Sequence, residues 1–185
     1  MEYPIIIQNA DITLKKIDPS FDNARKLFDI VSSERDFLRE FLSWVDDVKR
    51  PEDMYIHMYK VSKTDNASYY IIYDGQIVGN IGIDISSKKN KIAEIAYWLS
   101  RKYNGHGIMT RAVKILEQFA FENMDVNRIE IVMDVDNVKS ESVAKRAGYM
   151  CEGVRRQSYM FRNELRDVFT YSKLKSEWEK ENKNA

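Results

Sequence analysis

Cysteine is almost missing from this chain, and the one present, Cys151, has no second thiol with which to close an internal disulfide. That excludes a disulfide-stapled scaffold and fits a reducing, cytoplasmic compartment. Cys151 falls in a predicted strand and reads as a packed thiol rather than a nucleophile. Proline is scarce, at three residues, and no Pro/Gly/Ser-rich stretch marks a linker, so one continuous domain over residues 1–185 is expected. Charge of one sign is missing too. The 29 Lys plus Arg balance 29 Asp plus Glu, which leaves no global field to draw in nucleic acid or a membrane surface. No apolar run approaches membrane-spanning length, and residues 1–10 lack a basic segment followed by a long apolar one. Histidine is limited to His57 and His106, neither with a Cys, His, Asp or Glu partner at ligand spacing, so no metal site is expected.

What is present suits an ordinary globular protein, 44% apolar and 31% charged, long enough for a sizeable core. Two of its seven glycines sit in one loop. The run Ile92-Ala93-Glu94-Ile95-Ala96-Tyr97-Trp98-Leu99 is β-branched and aromatic and predicts a buried strand. Ile108, Ala112, Ile115, Leu116 and Phe119 recur at helical spacing and predict an amphipathic helix over residues 108–124. Between them lies Arg101-Lys102-Tyr103-Asn104-Gly105-His106-Gly107. A strand turning through Gly-x-Gly into a helix leaves backbone N–H groups aimed at one spot, where the helix dipole also favours phosphate oxygens. Thr110 stands where a dinucleotide fingerprint needs its third glycine, and no Gly-Lys-Ser/Thr follows, so the two commonest phosphate loops are excluded.

Other elements follow from the same rules. Residues 12–17 predict a strand, Pro19 opens a helix with Ala24, Leu27, Phe28 and Val31 on one face, and residues 35–48 predict a second. Pro51-Glu52-Asp53 starts a third. Residues 68–73 and 76–85 form a hairpin through Asp74-Gly75. Residues 128–135 predict a strand, and Asn137 caps a short helix that Gly148 ends. Residues 149–161 and 165–174 predict two last strands, and the charged end from residue 175 reads as frayed. The methionines at 54, 58, 109, 124, 133, 150 and 160 read as core filling, and Arg155, Arg156 and Arg162 as solvated strand charges.

Strand, Gly-x-Gly, long helix, strand, Asn137-x-x-Ser140, short helix and Gly148-Tyr149, in that order, resemble the acyl-CoA-binding half of the GNAT acetyltransferase superfamily. Lys102 stands at the family loop's Gln/Arg position, keeping a donor and a positive charge. The likeness extends to the RimJ/RimL-type branch. Ala93-Glu94-Ile95-Ala96-Tyr97-Trp98-Leu99 is similar to its Gly-Tyr-Trp-Leu strand, with Ala96 replacing glycine. Leu38-Arg39-Glu40-Phe41-Leu42-Ser43-Trp44 resembles its Leu-Arg-x-Trp-Leu-Pro-Trp element, and Arg166-Asp167-Val168-Phe169-Thr170-Tyr171 its closing strand. The likeness spans roughly residues 11 to 178. It implies an α+β GNAT fold, a mixed, mostly antiparallel, twisted sheet of about six or seven strands flanked by helices and splayed at its two central strands.

The resemblance implies acetyl-CoA as co-substrate, held by Trp98, Leu99, Lys102, Asn104, Gly105, His106, Gly107, Ile108, Met109, Asn137 and Ser140, with no metal. The acceptor it implies is the N-terminal amine of a protein. A small amine, or a CoA-binding role with little transfer, stays open beside it, as does a homodimer or higher homo-oligomer. A backbone N–H near Trp98 or Leu99 would serve the oxyanion, and Ser140 the departing thiolate; Ser140 also reads as a first-turn helix residue bonding local backbone. Ala144 occupies the position where many members carry a tyrosine donor. The branch's acidic exit-strand position falls on Tyr159, a poor base because its ordinary pKa is about 10. Glu94 is the substitute base, against a plain solvent-facing strand glutamate. A third reading uses no side-chain base, since an α-amino group with a pKa near 8 is partly neutral already.

Overall fold

The computed structural model describes residues 3–64 and 66–183, which carry eight strands and six helices. The strands are β1 (Ile6–Asn9), β2 (Ile12–Lys16), β3 (Ala67–Tyr73), β4 (Gln76–Ser87), β5 (Ile92–Leu99), β6 (Arg128–Asp134), β7 (Met150–Phe161) and β8 (Glu164–Leu174). The helices are α1 (Phe21–Ser33), α2 (Arg35–Leu38), α3 (Pro51–Ser62), α4 (Ile108–Asn123), α5 (Val138–Arg146) and α6 (Lys175–Lys183). The strands are ordered β1-β2-β3-β4-β5-β6-β8-β7 in a mostly antiparallel sheet, with β5 and β6 parallel. Eight strands exceed the six or seven expected. The addition with no signal in the sequence is β1, four residues without apolar alternation that pair with β2.

Packing divides the chain into two compact units, one of Met1–Gly82 with Tyr97–Ile108, the other of Ile83–Ala96 with Met109–Ala185. In the first, Ser20 caps α1 by accepting from the Asn23 amide at 3.3 Å, so Pro19 precedes the cap rather than opening the helix. Ala24, Leu27 and Val31 are its buried face, and they share a core with Leu38, Val45, Met54 and Met58. The single helix expected over 35–48 is broken. It stops at Leu38, and a 3-10 turn at Ser43–Asp46 follows. The Arg35 guanidinium donates to the Val45 and Val48 carbonyls, and those long-range bonds draw the chain back on itself instead of letting the helix run on. Positive φ at Asp74 (50°) and Gly75 (69°) makes the β3–β4 turn of the kind the sequence demands.

In the second unit, Ala112, Val113, Leu116, Ala120 and Phe121 bury one side of α4. Positive φ at both Arg162 (49°) and Asn163 (67°) closes the β7–β8 hairpin. β7 ends the sheet order and is mostly exposed, so Cys151 lies at the surface rather than packed. Met150 and Met160 are exposed for the same reason, whereas Met54, Met58, Met109, Met124 and Met133 are buried as expected.

The end expected to fray is helix α6. Its Glu177 carboxylate accepts from the Leu174 amide at 2.8 Å, and Trp178 packs against Phe121 with ring centroids 5.6 Å apart. Lys173, fully buried on β8, donates to Glu181 of α6 (2.9 Å), to the Ala147 carbonyl (2.7 Å) and to Glu117 of α4 (3.3 Å). One ammonium therefore ties two helices and the turn after α5 to one strand. Burial pushes the Glu117 carboxyl upward, and the Lys173 charge opposes that. Lys173→Met removes the counter-charge and should cost about 3–5 kcal/mol at neutral pH in equilibrium urea unfolding. The loss should shrink as pH falls and Glu117 takes up a proton, and Glu117→Gln added to Lys173→Met should recover part of it.

Candidate active site

The loop after β5 starts with a 3-10 turn at Arg101–Tyr103 and runs into α4. Gly105 and Gly107 have φ of +83° and +69°, and a Cβ added at either would meet nothing within 4 Å. Both are glycine for backbone conformation, not for lack of room. The loop's middle is therefore open space beside the first turn of a sixteen-residue helix, whose leading amides have no partners within the helix. Lys102 and His106 are exposed, with the Lys102 ammonium 5.3 Å from the Tyr103 ring centre, and Asn104 is half-buried. The Ile108 and Met109 side chains are buried, so only their main chain faces any ligand there.

Upstream, Leu99 is buried and Trp98 half-buried. The Trp98 ring lies 6.3 Å from that of Trp44, which in turn stacks on His57 at 4.9 Å and 19°. Burial, and then the Lys60 charge, hold the His57 imidazole below its ordinary pKa. Sequence reading passed over Gly79. A Cβ there would come 2.3 Å from the Trp98 carbonyl oxygen, so only glycine lets β4 lie against this stretch of β5. Its signal was a glycine inside an otherwise apolar strand pattern.

In the second unit, β5 and β6 share three register pairs, Ile92↔Arg128, Ala93↔Ile129 and Glu94↔Glu130. Both strands run on, β6 still fully paired with β8 as far as Asp134, yet Ile95 and Ala96 share no register with Ile131–Asp134. This is the parting of central strands that the resemblance implies. Glu94 stands at the last shared rung. It is half-buried rather than turned out to solvent, and burial first, then the Glu130 charge, push its carboxyl above the usual range, with Arg155 opposing and Asp84 adding. Past β6, the Asn137 side chain accepts from the Ser140 amide at 3.1 Å, capping α5 and fixing both residues in its first turn. Ala144 is fully buried. Tyr159 is exposed on β7, its ring 6.3 Å from Phe161, just beyond an irregularity between Arg155 and Tyr159 where Gln157 has φ of 49°. No group of three or more His, Cys, Asp or Glu fit to hold a metal ion occurs among the described residues.

Residues 11–150 match the family model described as an acetyltransferase (GNAT) domain. The chain belongs to this family. It is 29% identical over 178 residues to YdaF of Bacillus subtilis (strain 168), covering 94% of this chain and 96% of that protein. It is 26% identical over 161 residues to the ribosomal-protein-serine acetyltransferase of Escherichia coli (strain K12), covering 83% and 88%. Its fold superposes on a RimL ribosomal L7/L12 alpha-N-protein acetyltransferase solved in complex with coenzyme A, with a TM-score of 0.83 at 25% identity, over 91% of this chain and 97% of that one. The position of Glu94 yields a test that needs no substrate. Its carboxyl carbon, followed by NMR, should titrate above the ordinary glutamate range, move higher in Arg155→Ala and lower in Glu130→Gln.

Proposed function

We propose that this protein is a single-domain, cytoplasmic N-acetyltransferase that moves the acetyl group of acetyl-CoA to the N-terminal α-amino group of a protein. The observation that carries the reading is the end-to-end likeness to an enzyme named for that acceptor, over 91% of this chain. The parted strands and the open glycine loop support it from the chain's own geometry.

Amides of residues 105–109, with Lys102, Asn104 and His106, hold the pyrophosphate at the positive end of α4. The unshared backbone edges of β5 and β6 offer partners to the pantetheine amides, and Asn137 adds another. The amine lone pair attacks the thioester carbonyl carbon, and a backbone N–H near Trp98 or Leu99 stabilises the oxyanion. The carbon–sulfur bond then breaks, and the Ser140 hydroxyl donates to the thiolate, which leaves as free CoA. The proton lost by the attacking amine goes through water to Glu94, whose affinity for protons burial raises. Tyr159, exposed and phenolic, positions the acceptor instead.

Free-thiol release from acetyl-CoA should be faster with peptides bearing ribosomal-protein N-termini than with polyamines or free amino acids. Equal rates across the panel would remove the acceptor assignment, and no release with any amine would remove the transfer. Ser140→Ala should lower kcat about tenfold or more while leaving CoA affinity near wild type, because the donor is needed as the bond breaks. Wild-type turnover would leave Ser140 as a helix residue alone. A carboxylate base works only when ionised, so the rate should fall as pH drops through the raised Glu94 pKa. Glu94→Gln should cut the rate about a hundredfold and abolish that acid limb, and an unchanged profile would assign the proton to solvent.

A further inference from the structure

The turn that delivers the chain into the glycine loop is held from outside by one carboxylate. Glu34 accepts from the Ser100 hydroxyl at 2.8 Å through one oxygen and from the Arg101 amide at 2.7 Å through the other. The 3-10 turn at Arg101–Tyr103 has no side-chain cap of its own, because the Ser100 hydroxyl is turned to Glu34. Glu34 thus supplies the cap from a residue 67 positions away in the chain. Its own backbone is fixed at the α1–α2 junction, where its N–H donates to the Ile30 carbonyl (3.1 Å) and its carbonyl accepts from the Phe37 and Leu38 amides (3.1 and 3.0 Å). Two further contacts steady the same turn: Tyr103 donates to Gln76 at 3.0 Å, and the Arg101 guanidinium lies 5.8 Å from the Phe37 ring centre. Past the glycines the buried Ile108 side chain anchors the start of α4.

Both ends of the loop are therefore tied while Gly105 and Gly107 stand in open space. A loop ordered before its ligand arrives gives up less entropy on binding. We propose that Glu34 is the positioning residue that sets the loop amides for the pyrophosphate of acetyl-CoA; this rests on the loop's assignment as the CoA site. A carboxylate is the fitting group because both its oxygens accept, and both face donors. Glutamine keeps one acceptor and turns an NH2 toward the second donor, and alanine keeps neither.

The test compares Glu34→Ala, Glu34→Gln and Gly107→Val with the parent, using acetyl-CoA and acetyl-pantetheine, which carries the same thioester without the nucleotide pyrophosphate. Glu34→Ala should raise KM for acetyl-CoA about tenfold with kcat within about twofold. Glu34→Gln should fall between it and the parent, and neither should alter the kinetics with acetyl-pantetheine. An unchanged KM, or equal losses with both donors, would overturn the proposal, the second pattern being that of general loss of structure. Should Glu34→Ala fail to fold by circular dichroism, the isosteric glutamine variant decides on the same criteria. Gly107→Val separates the two layers. If it leaves CoA affinity by calorimetry at the parent value, the loop assignment falls and the role of Glu34 with it. If it abolishes binding while Glu34→Ala does nothing, only the role of Glu34 is lost.

Discussion

Every backbone N–H and C=O taken from water needs a partner, and β5 and β6 stop supplying each other with partners after three rungs. β6 does not end there, since its other edge stays paired with β8 for seven residues. The parting is thus a property of one edge and not of a failing strand. It occurs where the chain places Glu94 opposite Glu130, two carboxylates on one rung, which makes the last shared rung a repulsive one. β5 runs into the glycine loop, and β6 into the cap that Asn137 makes for α5.

Polar groups placed at element ends do much of the remaining organisation. Lys173 joins α4, α6 and the turn after α5 through three acceptors, and the Ala147 carbonyl among them lies at the C-terminal end of the helix that carries Ser140. A positive charge there is favourable to the helix dipole as well as to the unpaired carbonyl. Gly148 fits the same scheme. Its φ is +86°, and a Cβ would come 3.1 Å from the Lys173 nitrogen, so glycine both ends the helix and makes room for the ammonium. Arg35 and Glu34 do the equivalent work at the α1–α2 junction, one gathering carbonyls and the other donors.

Features encoded within a few residues were legible in the sequence. Asp74-Gly75 gave the hairpin, Asn137 the cap of α5, and Gly105 and Gly107 the loop, because each rests on a local backbone preference. Features decided by distant partners were not legible. The break after α2 depends on Arg35 reaching carbonyls ten and thirteen residues on. Helix α6 depends on Trp178 meeting Phe121 and on Glu181 meeting Lys173, none of which a charged run reveals. The position of Tyr159 was reached by counting along β7, but the strand slips register between Arg155 and Tyr159, so spacing there does not preserve the face a side chain occupies. The backbone of the glycine loop was thus readable and the face of Tyr159 was not, because a turn is local and strand register is not.

The arginines beside β5 and β6 are unequally committed to the carboxylates around them. Arg128 binds Glu130 at 2.7 Å and Glu152 through a second pair of bonds, and with Ser172 it holds the Glu152 carboxyl down to about 2. The Glu152 carboxylate is therefore held as an anion at neutral pH. Glu94 sits one strand away on the same rung as Glu130, and the cation that opposes its upward shift is Arg155, which is exposed on β7 and weakened by solvent. Burial meanwhile works against its charge. The proton affinity of Glu94 is thus raised where that of Glu152 is lowered, and Glu94 lies on the strand whose continuation reaches Trp98 and Leu99. Tyr159, where the resemblance implies an acid, lies exposed on the edge strand β7, whereas Glu94 lies half-buried on an inner strand where burial raises its carboxyl.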